Sequence, residues 1–206
     1  GRVIAVTTLE DYEPGHGPRD ALTRIATGEV IRPAEAAHVA ETPITGSLRA
    51  AIDAEEPRIV VFRVGGTVAL KAPLVVRNPF VTIAGQTAPG GGICLRNYGV
   101  GVSDTHDVVI RHIRIRPGDA ERCEVDALSV GGSRDVIVDH CSTSWAIDEN
   151  LSVSGAGTTN VTVQWCFITE SLNDSLHSKG SHGMGSLIRT DGDVTFHHNL
   201  YAMNNS

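Results

Sequence analysis

Val108-Val109-Ile110-Arg111-His112, Val136-Ile137-Val138-Asp139-His140 and Val161-Thr162-Val163-Gln164-Trp165 are short runs in which every second side chain is apolar. Val81-Thr82-Ile83 and Val194-Thr195-Phe196-His197-His198 extend the series, and the first valines stand 27, 28, 25 and 33 residues apart. Alternation marks strands with one buried face, and the recurrence marks a repeat. A second series lies between them: Thr67-Val68-Ala69-Leu70, Gly92-Ile93-Cys94-Leu95, Asp126-Ala127-Leu128-Ser129-Val130, Asn150-Leu151-Ser152-Val153 and Ser186-Leu187-Ile188. Two strands per repeat, separated by Gly, Asn, Asp and Ser, make a rung that cannot bury its apolar face alone. A parallel β-helix follows, in which equivalent positions stack at about 4.8 Å and function is to be sought in vertical columns.

One such column, the sixth position of each repeat, holds Gln86, Ile113, Cys141, Cys166 and Asn199, which places Cys141 above Cys166. Buried thiols and a disulfide are both open there; stacking alone does not supply bridge geometry. Four cysteines without a CxxC pair argue against a structural zinc site. By the same alternation, His112, His140 and His198 are expected to point inward as a stacked column.

The 206 residues suffice for one β-helix domain, which we expect to be truncated at both ends, with rungs over residues 59–206. There is no apolar run of membrane length, and a net charge of −7 without a large basic stripe argues against a generic nucleic-acid binder. Residues 13–46 are broken by Pro14, Gly15, Gly17, Pro18, Pro33 and Pro43 and read as a surface loop with a short helix near Arg19 to Ala26. Residues 47–54 read as an amphipathic helix, with Ser47 as N-cap and Leu48, Ala51 and Ile52 on one side, closing the open end of the coil.

Glu124 and Asp126 precede Leu128 by four and two residues, and Asp148 and Glu149 precede Leu151 by three and two. If the leucines stack, these carboxylates converge on one face. Crowded carboxylates raise one another's pKa unless a cation intervenes, and oxygen ligands suit Ca²⁺. Solvated turn residues are the plain alternative.

Asp139-His140-Cys141-Ser142-Thr143-Ser144-Trp145-Ala146-Ile147-Asp148-Glu149-Asn150-Leu151, then Val163-Gln164-Trp165-Cys166 and His197-His198-Asn199, resemble pectate lyases of polysaccharide lyase family 1. Gly46-Ser47-Leu48-Arg49-Ala50-Ala51-Ile52, Ala84-Gly85-Gln86-Thr87-Ala88-Pro89-Gly90 and Arg114-Ile115-Arg116-Pro117-Gly118-Asp119 are similar to its bacterial branch. The resemblance implies a right-handed parallel β-helix, secreted or periplasmic and monomeric, that cleaves an acidic polysaccharide, polygalacturonate or pectin, by Ca²⁺-dependent β-elimination. It implies Glu124, Asp126 and Asp148 as calcium ligands, with Ser152 standing where a further Asp is expected and Glu149 available in its place. Lys179 is the candidate catalytic and substrate-binding cation, and His182 a second substrate contact. The implied base, an Arg, falls at position 207, one past Ser206. A β-helical glycoside hydrolase and a non-catalytic carbohydrate-binding β-helix remain open as alternatives.

Overall fold

A computed structural model describes residues 1–12 and 43–205. The expected loop over 13–46, with its short helix, falls almost wholly outside them. The rest is a stack of parallel rungs. The valine series forms one sheet of seven strands: Arg2–Val6, Arg58–Phe62, Val81–Ala84, His106–Arg111, Arg134–Asp139, Thr159–Gln164 and Val194–His197. Val81, Val108, Val136, Val161 and Val194 lie directly in register, as the spacing demands. Their side chains and those of Ile83, Ile110, Val138 and Val163 point into the core, all of them buried except the partly covered Val194.

Each turn carries three strands, not two. The second series divides between a five-stranded sheet (Leu74–Val76, Val100–Ser103, Leu128–Gly131, Leu151–Ser154, Ile188–Arg189) and a six-stranded sheet (Gly66–Ala69, Ile93–Arg96, Ile113–Arg116, Ser142–Thr143, Phe167–Thr169, Leu200–Ala202). Two strands of the six-stranded sheet, Gly66–Ala69 and Ile93–Arg96, fall in the second series; its other four, down to the two residues Ser142–Thr143, escape sequence reading as a third set, because strands so short display no period. The first strand, Arg2–Val6, also belongs to the stack, pairing with Arg58–Phe62.

From the fourth strand of the seven-stranded sheet onward, a left-handed residue turns the chain into the six-stranded sheet. His112, His140, Trp165 and His198 have φ of 55°, 53°, 53° and 55°. That conformation resets the alternation, so these rings stand outside the coil, contrary to the inward column expected from parity. They still stack. Ring centroids lie 4.9 Å apart for His112 and His140, 6.1 Å for His140 and Trp165, and 4.3 Å for Trp165 and His198. Below His112 the corner is Gly85, where a Cβ would sit 2.4 Å from the His112 carbonyl oxygen.

Past the corner, Cys141 stands over Cys166 as expected, both buried and both free thiols. Ile113 pairs with Ile93 and not with Gln86, because a 3-10 turn at Gly85–Thr87 intervenes. At the first rung, helix α1 (Leu48–Asp53) buries Leu48, Ala51 and Ile52, and its N-cap Ser47 accepts the Ala50 N–H at 3.1 Å. Arg49 is buried too. Its guanidinium donates to both oxygens of Asp11 at 2.6 and 2.8 Å, and to the carbonyls of Pro73 and Ala72. Arg58 closes the other end of α1, donating to the Ala51 and Ile52 carbonyls that the helix leaves unpaired.

Candidate functional site

In the later turns the corner into the six-stranded sheet is tight, but the return to the five-stranded sheet is long. Residues 117–127, 144–150 and 170–187 form three successive linkers on one edge of the body. Glu124 and Asp126 lie on the first, Asp148 and Glu149 on the second, and His177, Lys179 and His182 on the third. Leu128 pairs with Leu151, so the ladder runs back into the linkers, and Ala127 N–H donates to the Glu149 carbonyl at 3.0 Å. The third linker joins through a bridge between Glu149 and Met184.

This register brings Asp126, Asp148 and Glu149 together, with one carboxylate oxygen of each within 4.8 Å of the others. The Glu149 amide also donates to Asp126 Oδ1 at 3.2 Å. Enclosure, and then the neighbouring charges of Glu149 and Asp148, push the Asp126 carboxyl well above the usual carboxylate range. Enclosure is likewise the main reason that Glu149 is raised, with the Asp148 charge adding to it. The site therefore disfavours its own ionised form unless a cation is present.

Glu124 lines the same groove, over a floor that includes Val75, Gly101 and Ser129, but its carboxylate is engaged by the Ser178 amide rather than clustered with the other three. Ser152 is buried under the third linker and its hydroxyl has no hydrogen-bond partner. Lys179 is exposed at the linker tip.

His182 is closer to the centre than a substrate contact on the rim would be: its Nε2 lies 2.9 Å from Asp148 Oδ1. His177, which sequence reasoning did not single out, is buried with Nε2 3.4 Å from the same oxygen, and its ring stacks on His182 at 3.9 Å. Asn150 was missed as well. Fully buried, it donates to the Thr169 carbonyl and to Asn204 and accepts the Ala146 N–H, fixing the linker that carries Asp148 and Glu149. An Asn beside Asp-Glu and before a stacked leucine was the available signal. The folding of the third linker over the site had none, because it depends on contacts between separate rungs.

No protein-family model matches the chain. Probable pectate lyase C of Neosartorya fischeri is 42% identical over 160 residues, covering 78% of this chain and 36% of that protein. Probable pectate lyase C of Aspergillus flavus is 40% identical over 159 residues, with 77% and 36% covered. Pectate lyase 1 of Ambrosia artemisiifolia is 29% identical over 144 residues, 62% of this chain and 35% of that protein. The chain thus spans little more than a third of these curated relatives. Its fold matches the crystal structure of jun a 1, the major allergen from cedar pollen, with a TM-score of 0.58 at 19% identity, over 82% of this chain and 46% of that one. The relatives are fungal and plant proteins and do not support the bacterial branch suggested by the motifs. Across most of its length, the chain is homologous to pectate lyases.

Proposed function

We propose that the chain is the cation-binding part of a pectate lyase, secreted or periplasmic, whose complete form cleaves polygalacturonate by calcium-dependent β-elimination. The observation that carries this reading is the convergence of Asp126, Asp148 and Glu149, whose oxygens suit a hard dication. Both raised carboxyls in that set favour the same conclusion, since a bound cation offsets the like-charge repulsion. When bound, calcium draws charge from a uronate carboxylate and so acidifies the adjacent C5 proton.

The chain's own residues would orient the polymer. A sugar chain lying in the groove over Val75, Gly101 and Ser129 would present its carboxylates to Glu124, Asp126 and Asp148, which line the same groove. Lys179, exposed beside it, pairs with a second uronate and offsets the repulsion between an acidic protein and an acidic polymer. Removal of the C5 proton falls to the Arg expected at position 207. An Arg base must be held beside other cations to lose its proton.

The glycoside-hydrolase alternative is less well served. Paired carboxylates of that mechanism stand on either side of the scissile bond, roughly 5 to 9.5 Å apart. Here one oxygen of each carboxylate lies within 4.8 Å of the others on a single face.

The test is incubation of the full-length protein, residue 207 included, with polygalacturonate and Ca²⁺. Elimination gives an unsaturated uronide absorbing in the ultraviolet, abolished by EDTA and by Asp148→Ala. New reducing ends without that absorbance would establish hydrolysis instead. Calcium-dependent binding with neither product would establish a non-catalytic module.

A further inference from the structure

We propose that Arg96, Arg114 and Arg116 form, with Trp145, a second carbohydrate site outside the groove, in which a uronate unit of an acidic oligosaccharide sets its carboxylate on the guanidinium groups and its ring against the indole. The inference rests on the reading that the polymer is acidic. It needs neither calcium nor cleavage.

Strands Ile93–Arg96 and Ile113–Arg116 pair in register, Cys94 with Arg114 and Arg96 with Arg116. Ile93, Leu95, Ile113 and Ile115 fill the core, so the alternate residues face outward and three arginines crowd one patch of two strands. Like charges directly opposite each other across a strand pair cost stability unless an opposite charge lies between them. Arg2, Arg49, Arg111 and Arg134 each hold a carboxylate, but among the described residues none of these three is ion-paired. Arg114 instead donates to the Gly91 carbonyl at 2.8 Å, and Arg116 to the carbonyls of Ile115 and Ser142 and to the Ser142 hydroxyl at 2.8, 2.7 and 2.7 Å. These bonds fix the Arg116 fork without neutralising it, and they leave two of its five N–H donors over. Burial, and then the Arg114 charge, hold the Arg116 guanidinium below its ordinary pKa, a tension that a bound anion relieves.

The carboxylates bordering the patch turn to other partners. Asp119, in the same lining, accepts from the Ser175 hydroxyl at 3.1 Å, and Glu170 accepts from the Trp145 indole N–H at 3.0 Å. Burial holds Glu121 above the usual glutamate range, against the pull of Arg96. Trp145 is 46% exposed, and the Arg116 guanidinium lies 5.8 Å from its ring centre. An exposed indole anchored by its own N–H offers a platform for the C–H face of a sugar ring, and an arginine fork matches a carboxylate. Together they bound a cavity of about 500 Å³, the size of a small-ligand pocket. A simple anion uses the forks alone, whereas a uronate uses the indole as well. The cavity sits where residues 117–127 and 144–150 leave the six-stranded sheet, while Asp126 and Asp148 lie where the same linkers approach the five-stranded one. The two sites share linkers but no residue.

The test is calorimetric titration of the full-length protein in EDTA, which keeps the notch free of metal, with trigalacturonate, with its methyl ester and with inorganic phosphate. The expected result is binding of trigalacturonate without calcium, about tenfold or more tighter than the ester and than phosphate. Arg96→Gln combined with Arg114→Gln should weaken it about tenfold or more, and Trp145→Leu about threefold or more. Asp148→Ala, in the separate notch, should leave it within about twofold. No binding in EDTA, equal affinity for the ester, or indifference to the arginine substitutions would overturn the proposal. Phosphate binding as well as trigalacturonate, with Trp145→Leu without effect, would show a plain anion patch and overturn it too. If the double variant fails to fold, Arg96→Gln alone, whose side chain makes no hydrogen bond among the described residues, and the ester comparison decide. Elimination without this binding would refute the second site alone, and this binding without elimination would refute the lyase reading alone.

Discussion

Asp139 shows how one residue can hold three rungs. It is 1% exposed, and it accepts from Arg111 on the rung below, from Gln164 on the rung above and from His140 beside it. Burial alone would raise its pKa, but the hydrogen bonds from Gln164, His140 and Arg111 prevail and hold it below the usual aspartate range. A carboxyl depressed by folding stabilises the protein above its unfolded pKa, near 4, and that contribution disappears as pH falls through the folded value. Asp139→Asn should therefore cost about 1–3 kcal/mol at pH 7, measured by urea denaturation, and the cost should shrink below about pH 4. An unchanged cost at low pH would show that charge plays no part. The neighbouring histidines mark the limit of residue-level reading. Their column was legible from spacing alone, but its direction was not, because the left-handed residue at each of these corners inverts a parity argument that is sound on either side of it.

At the scale of the element, α1 was legible in its cap and its apolar side, since Ser47, Leu48, Ala51 and Ile52 obey local rules. The burial of Arg49 was not, because its partner Asp11 lies 38 residues away and reaches it only through the fold. This pair is almost fully enclosed and bidentate, and Asp11 also accepts the Lys71 amide at 2.8 Å. Removing one charge strands the other, so Asp11→Asn should destabilise by about 3–5 kcal/mol, read from the denaturant midpoint. A loss below about 1 kcal/mol would mean that Arg49 finds other partners. Strands divide along the same line. Val136 to Asp139 carries enough alternation to be recognised, whereas Ser142–Thr143 is a strand only because Arg114 and Phe167 flank Ser142 in register.

In the whole molecule, the candidate site is a product of stacking: two linkers bring carboxylates to the same place because Leu128 and Leu151 coincide, and a third supplies the imidazoles. The meeting of Asp126, Asp148 and Glu149 could be counted from their distance to each leucine, whereas the same count put Glu124 with them and the Ser178 amide engages it instead. The third linker was not, since no period governs residues 170–187. Asp126 is strained by its neighbours when metal is absent, so Asp126→Asn should raise the melting temperature of the EDTA-treated protein. It should also weaken the rise that Ca²⁺ produces in the unaltered protein, a stabilisation of about 2.7 kcal/mol at a hundredfold excess over Kd. A lower melting temperature without metal would mean that Asp126 contributes more through the Glu149 amide than it costs through repulsion.

The contrast between one-residue corners and long return linkers divides the chain into parts that tolerate length changes and parts that do not. An extra residue at His140 would shift the side chains of the strand that follows, Ser142–Thr143, by one place, exchanging inside for outside. An extra residue between Ser171 and Gly185 would only enlarge an overhang above the notch. Descendants of such a chain can therefore acquire new specificity by growing that overhang, while the column beneath keeps its pitch.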